Sequence, residues 1–155
     1  MTDVDPLRRY NNLGLVFQKP DVEQVQLPSD ITELSSEQLA EKFTGLTAWA
    51  NFVASQLTVA IIAERNAERA MKNYETRQMV LRGGSGTRGE RVTFVKAQIA
   101  AEPEMEKLAQ SYEDAYAYRK LLEMADHNHE RDIALVSREI TRRGNENRGT
   151  RTRGY

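Results

Sequence analysis

The stretch from Ser36 to Arg82 most constrains what this chain can fold into. It contains no Pro, and its one Gly is Gly45. Apolar or small residues recur along it at alternating spacings of three and four: Leu39, Phe43, Leu46, Ala50, Val53, Leu57 and Ala60, then Ala67, Met71, Tyr74 and Leu81. This is a heptad seam, interrupted by Glu64 and Gln78. Trp49, Phe52, Val59 and Ala63 lie beside the seam and widen the apolar stripe beyond that of a two-stranded coiled coil. A helix of this length measures roughly 70 Å at about 1.5 Å per residue and needs a partner of similar length along its side.

The partner is found further along the chain. Ser35 and Gln38 have the spacing of a capping box and start the first helix, and Gly83-Gly84-Ser85-Gly86 ends it. Thr87 and Glu90 repeat the box ahead of a short helix over about 88–100, with Val92, Val95 and Ile99 on one face and Phe94 beside them. Glu102-Pro103-Glu104 restarts the helix, with Pro at the first position and acids in the first turn. The last helix is expected to run to about Arg143, with Gly144 ending it. Its seam is Met105, Leu108, Tyr112, Ala115, Leu122, His129, Ile133, Val136 and Ile140, with Arg119 and Asp126 in the same register. The expected fold is all-α. It is a long, coiled-coil-like antiparallel helical hairpin over 36–143 with a short third helix. An extended N-terminal arm over 1–35 and a disordered Arg/Gly-rich tail over 144–155 flank it.

In the arm, Leu13–Gln18 and Val22–Leu27 read as short β-like segments, broken by Lys19-Pro20 and closed by Pro28. The segment reads either as a disordered leader or, being more apolar than a solvated tail requires, as an arm that lies on a neighbouring subunit. A hairpin has a thinner core than a globule of equal mass, so part of the stripe waits for another subunit and a homo-oligomer is expected. The core and oligomer contacts are assigned to Phe43, Leu46, Trp49, Phe52, Val53, Leu57, Leu122, Ile133, Val136 and Ile140. The run Phe43–Ala63 carries no charge, but Asn51, Ser55, Gln56 and three Thr make it a buried helix face rather than a membrane span. No signal peptide is expected at the polar, acidic start.

The formal net charge of −1 selects no partner, but the charge is segregated. Residues 77–96 carry Arg77, Arg82, Arg88, Arg91 and Lys96 against Glu90 alone. Residues 138–155 carry Arg138, Arg142, Arg143, Arg148, Arg151 and Arg153 against Glu139 and Glu146. Arg side chains and helix N-termini both bind phosphate, and disordered Arg-Gly segments bind nucleic acid without sequence preference. These residues, together with Lys72, are the nucleic-acid candidates. The ordered turn is expected to be the main site and the tail an addition to it.

Enzymatic constellations are nearly absent, and neither catalysis nor a cofactor is expected. There is no Cys, which excludes thiol chemistry and Cys-ligated metals. The two histidines, His127 and His129, point to different sides of a helix and cannot chelate one metal together. The glycine turn lacks the Gly-Lys-Ser/Thr ending of a nucleotide loop and follows no strand. Tyr112, Tyr116 and Tyr118 sit beside the seam, and most of them are expected in the core.

The runs Leu46-Thr-Ala-Trp49, Lys72-Asn-Tyr-Glu-Thr-Arg77, Arg82-Gly-Gly and Ser137-Arg-Glu-Ile-Thr-Arg-Arg143 complete a plan. It is a long first helix with one Trp, a basic helix end, a Gly/Arg turn and a return helix with a basic finish. From Ser36 to Arg143 this plan resembles the phage recombination-mediator family typified by UvsY and its relatives in phages of actinobacteria. The resemblance implies a small, ring-forming, all-helical protein of the host cytoplasm. Such a protein binds single-stranded DNA and helps load a recombinase onto strands covered by single-strand-binding protein. It also implies that Lys72, Arg77 and Arg82 are the foremost DNA contacts. The alternative is a phage virion structural or assembly protein, such as a scaffold, connector or capsid-associated hairpin, whose arm and tail order against neighbouring subunits.

Overall fold

The computed structural model describes Arg8, residues 18–82 and residues 88–152, with side chains described over 18–82 and 92–148. The apolar residues Leu15, Val16 and Phe17, the turn Gly83–Gly86 with Thr87, and the side chains of Arg88, Arg91, Arg151 and Arg153 lie outside the described residues. All regular structure within them is helical. A 3-10 turn, Ile31–Glu33, is followed by α1 (Ser36–Arg82), α2 (Arg88–Ala100) and α3 (Pro103–Thr152). The chain is all-α, and it divides into two compact units, one of residues 1–57 and 122–155 and one of residues 58–121.

In the first unit the capping box forms as the sequence predicts. Gln38 N–H donates to Ser35 Oγ at 3.1 Å, and Ser35 N–H donates to Gln38 Oε1 at 2.8 Å. These bonds satisfy amide groups that a helix start leaves without partners. Leu39, Leu46 and Val136 are buried together, with Val25, Leu27, Leu34, Phe43 and Ile133 packed against them. The two long helices run antiparallel here: Val136 and Ile133 meet the Leu39–Leu46 turns, while Arg143 reaches back to Leu34.

The described part of the arm departs from the strand expectation. No strand occurs among the described residues, and 22–27 is irregular. It lies along its own α1. Trp49 Nε1 donates to the carbonyls of Val22 and Glu23 at 3.0 and 3.1 Å, and Lys42 Nζ donates to that of Gln26 at 3.0 Å. Gly45 makes the approach possible, because a Cβ there would stand 2.6 Å from Val25 Cγ2. The arm's carbonyls find side-chain donors on α1, so they need no ladder.

In the second unit Val95 and Ile99 of α2 are buried, as is Ala60 of α1. The link from α2 to α3 is tight: Glu102 N–H donates to Ile99 O at 3.0 Å, and Glu106 N–H to Glu102 O at 3.0 Å. α3 starts at Pro103 with Glu104 and Glu106 in its first turn, where the missing proline N–H costs nothing and acids suit the dipole. Glu64 of α1 pairs with Arg119 of α3, and Tyr74 Oη donates to Glu102 Oε2 at 2.7 Å. The pairing is therefore antiparallel in this unit as well.

The end of α3 is a correction. The helix does not stop at Gly144 but continues to Thr152. A glycine inside a helix costs about 1 kcal/mol relative to alanine. Here the gap is spanned by an ion pair one turn apart, Arg142 Nη1 to Glu146 Oε1 at 2.6 Å. The Arg/Gly segment is thus helical through 152.

Candidate nucleic-acid interface

The bases gathered around the turn are largely neutralised within the chain. Arg82 pairs with Glu102, a residue that also accepts from Tyr74. Lys96 Nζ stands 3.6 Å from Glu75 Oε1. Lys72 pairs with Glu68 one turn earlier, and this carboxylate raises the pKa of the ammonium. Of the turn candidates with a described side chain, Arg77 alone has no partner among the described residues. Counting charges over 77–96 does not show this, because Glu75 and Glu102 lie outside that window and reach Lys96 and Arg82 only through helix packing.

At the other end, Glu139 organises the basic residues. Although only 6% exposed, it accepts from Arg142 Nη2 and Nε at 2.7 and 2.8 Å and from Arg143 Nε at 2.7 Å. Those bonds, Arg142's first and Arg143's second, hold its carboxyl down to about 2. The same bond to Glu139 is the main cause that raises the Arg142 pKa. Arg143 is structural as well. Its Nη1 donates to Leu34 O at 2.7 Å and its Nη2 to Thr32 O at 2.9 Å, tying α3 to the 3-10 turn. That turn is capped by Asp30, whose Oδ1 accepts from Thr32 Oγ1 at 2.6 Å and from Thr32 N–H at 2.9 Å. The side-chain bond, then the backbone one, lowers the Asp30 pKa. Arg148 is exposed and has an interaction of its own.

Arg138 is exposed and without a partner among the described residues, and so is Arg131, seven residues before it on the same line of α3. Arg131 was not among the sequence candidates, nor were Arg65 and Arg69, which are exposed on α1 and likewise unpartnered there. Projecting charges on a helical wheel, instead of counting them in a linear window, would have found all three.

Of the core candidates, Leu46, Val53 and Val136 are buried, while Phe43 and Ile133 pack on the core. Trp49, Phe52, Leu57 and Leu122 are partly buried, and Ile140 is 39% exposed. Trp49 and Phe52 meet edge to face with centroids 5.9 Å apart, and Lys19 Nζ lies 5.7 Å from the Trp49 ring. Tyr116 and Tyr118 are exposed rather than core residues. The Tyr116 ring is occupied by its own neighbours, with the Arg119 guanidinium at 5.2 Å and the Lys120 ammonium at 5.8 Å. His129 is buried, with Nδ1 2.7 Å from Ala125 O, so the ring nitrogen is engaged by the preceding helical turn. No cluster of three metal-ligating side chains occurs among the described residues.

No protein family, no curated protein and no solved structure matches this chain.

Proposed function

We propose that this all-α chain is a homo-oligomeric accessory protein of phage recombination or replication that binds single-stranded DNA in the host cytoplasm. The observation that carries the reading is the pair Arg131 and Arg138. They form an exposed cationic line, without a partner among the described residues, on a helix that continues past Arg148 to Thr152. A helix that is already formed holds its guanidinium groups in place and avoids the ordering cost that a disordered Arg-Gly tail bears on binding. The contacts are to phosphates, so the binding is salt-sensitive and indifferent to sequence. The UvsY-like plan supports the further role of helping a recombinase onto strands covered by single-strand-binding protein. The protein acts by binding and performs no catalysis.

The test is a titration of a fluorescent oligonucleotide against the full chain at several salt concentrations. Arg131→Ala with Arg138→Ala is expected to lower affinity and to reduce the salt slope by about 0.7 for each phosphate that is no longer neutralised. Lys72→Ala with Arg77→Ala is expected to have a smaller effect, since Lys72 is already shared with Glu68. The opposite ranking moves the site to the turn.

One observation favours a second reading, a virion structural or assembly subunit. The most apolar 18-residue window of α1 is only 17% buried, which leaves surface for packing against other subunits. No DNA binding by the parent at moderate salt, together with concentration-dependent assembly in light scattering, would establish that role in place of the first.

A further inference from the structure

α1 carries a second seam on the side away from its core. Ala48, Phe52, Ser55, Val59 and Ile62 alternate by four and three, two positions on from Leu46, Ala50, Val53, Leu57 and Ala60. That line should be charged in a helix with one partner, because it faces away from the partner. Here it has no charge at all. Its one hydroxyl is already satisfied, since Ser55 Oγ donates to Phe52 O at 2.6 Å, so the seam can be covered without orphaning a polar group.

The charges that bracket this seam identify what covers it. On the same side of α1, Glu37 and Glu41 precede it, and Arg65 and Arg69 follow it. All four are exposed, and none has a partner among the described residues. A helix side that reads acidic, apolar, basic is complementary to itself when reversed. We propose that the outer side of α1 binds a second copy of this chain, antiparallel, about a two-fold axis at Ser55. Ala48 then lies opposite Ile62 of the other copy, and Phe52 lies opposite Thr58, beside Val59. Glu41 meets Arg69, and each contact occurs twice, as a two-fold interface requires. Ser55, the smallest residue of the inner turns, stands where the helices approach most closely. The charged ends also fix the direction: parallel packing would set Glu41 beside Glu41 and Arg69 beside Arg69. The interface uses none of the α3 arginines, so it stands or falls separately from the DNA reading.

The chain has no cysteine, so a single introduced one reports on its own environment. Sedimentation of the full chain is expected to show a dimer, and Ser55→Cys is expected to form a disulfide-linked or bismaleimide-linked dimer on the axis. Ser55→Arg should give a monomer with unchanged helical circular dichroism. Glu41→Arg and Arg69→Glu should each weaken the dimer, by about tenfold or more because each change acts twice. The two changes combined in one chain should restore it. A monomer at about 50 μM, a concentration that would dimerise an interface with a Kd of about 1 μM, overturns the proposal. A dimer indifferent to Ser55→Arg and to both charge reversals also overturns it. Among the described residues α1 is the one helix long and apolar enough to cross a membrane, so flotation of the parent with phosphatidylcholine vesicles is the remaining control. Partition of a monomer into those vesicles, abolished in Ser55→Arg, would assign the seam to a bilayer instead.

Discussion

Glu64 and Arg119, 55 residues apart in sequence, are partners: the guanidinium Nε of one donates to the carboxylate of the other. Each is a charged residue that interrupts the apolar seam of its own helix. Each side chain is only 16% exposed, so the two interruptions cancel within the helix pair. Breaking such a pair by removing one partner leaves the other charge poorly solvated. Glu64→Ala or Arg119→Ala is expected to destabilise the protein by roughly 3–5 kcal/mol in urea unfolding. Glu64→Leu with Arg119→Leu is expected to be near neutral or stabilising, and a double change as costly as the single ones would refute the pairing's role.

Glu139 sets an acid limit. Its carboxyl is held at about 2, below its ordinary 4.5, so the unfolded chain binds this proton more readily than the native one. The stability it confers is complete above pH 4.5 and is lost as the pH falls towards 2. The parent's melting temperature should therefore drop across that window. Glu139→Gln should start lower at neutral pH and show a flatter profile there. Parallel profiles would mean that another carboxylate sets the limit.

At Gly45 two effects of opposite sign compete. Alanine favours a helix by about 1 kcal/mol over glycine, but here its Cβ would lie 2.6 Å from Val25 Cγ2. Val25 is β-branched and stiff, so the arm should yield rather than the helix. Gly45→Ala is expected to expose residues 22–27 to proteolysis and to shift Trp49 fluorescence. Adding Val25→Ala should reseat the arm and retain the helix gain. An arm unmoved in Gly45→Ala would show that it is not seated in this notch.

Gly144 is the contrasting case, with nothing within 4 Å of a Cβ placed there. Gly144→Ala should strengthen the end of α3 by about 1 kcal/mol. Slower amide exchange over 145–148, with the rest of the protein unchanged, is the expected signature. No change in exchange would mean that the helix ends before 144.

The helix starts were readable because each is a local event. The Ser35–Gln38 box and Pro103 with its following acids need only neighbouring residues, and both stand where the sequence places them. The core turns of α1 were readable from spacing, since a seam fixes which residues face inward. The partners of the charges were not. Glu102 with Arg82, or Glu75 with Lys96, depends on how helices are set against one another, and a linear count of bases does not contain that. The contacts of 22–27 were hidden for the same reason: its apolar residues signal a docking site, and only the notch at Gly45 shows the place on α1 where Val25 sits. Gly144 misled because glycine punctuates helices on average, while the ion pair spanning it is particular to this chain.

The bonds from Arg143 to Leu34 and Thr32 join residues 109 and 111 positions apart. On the ribosome, the segment that leads into α1 emerges 109 and 111 residues ahead of its anchor. Until that anchor follows, α1 is exposed with its entry unsecured, its apolar seams open to whatever is nearby. Closing so long a loop costs entropy before any contact rewards it, which delays that step relative to the local helices. Nascent chains of this protein on neighbouring ribosomes would meet through α1 while the end of α3 is still being made.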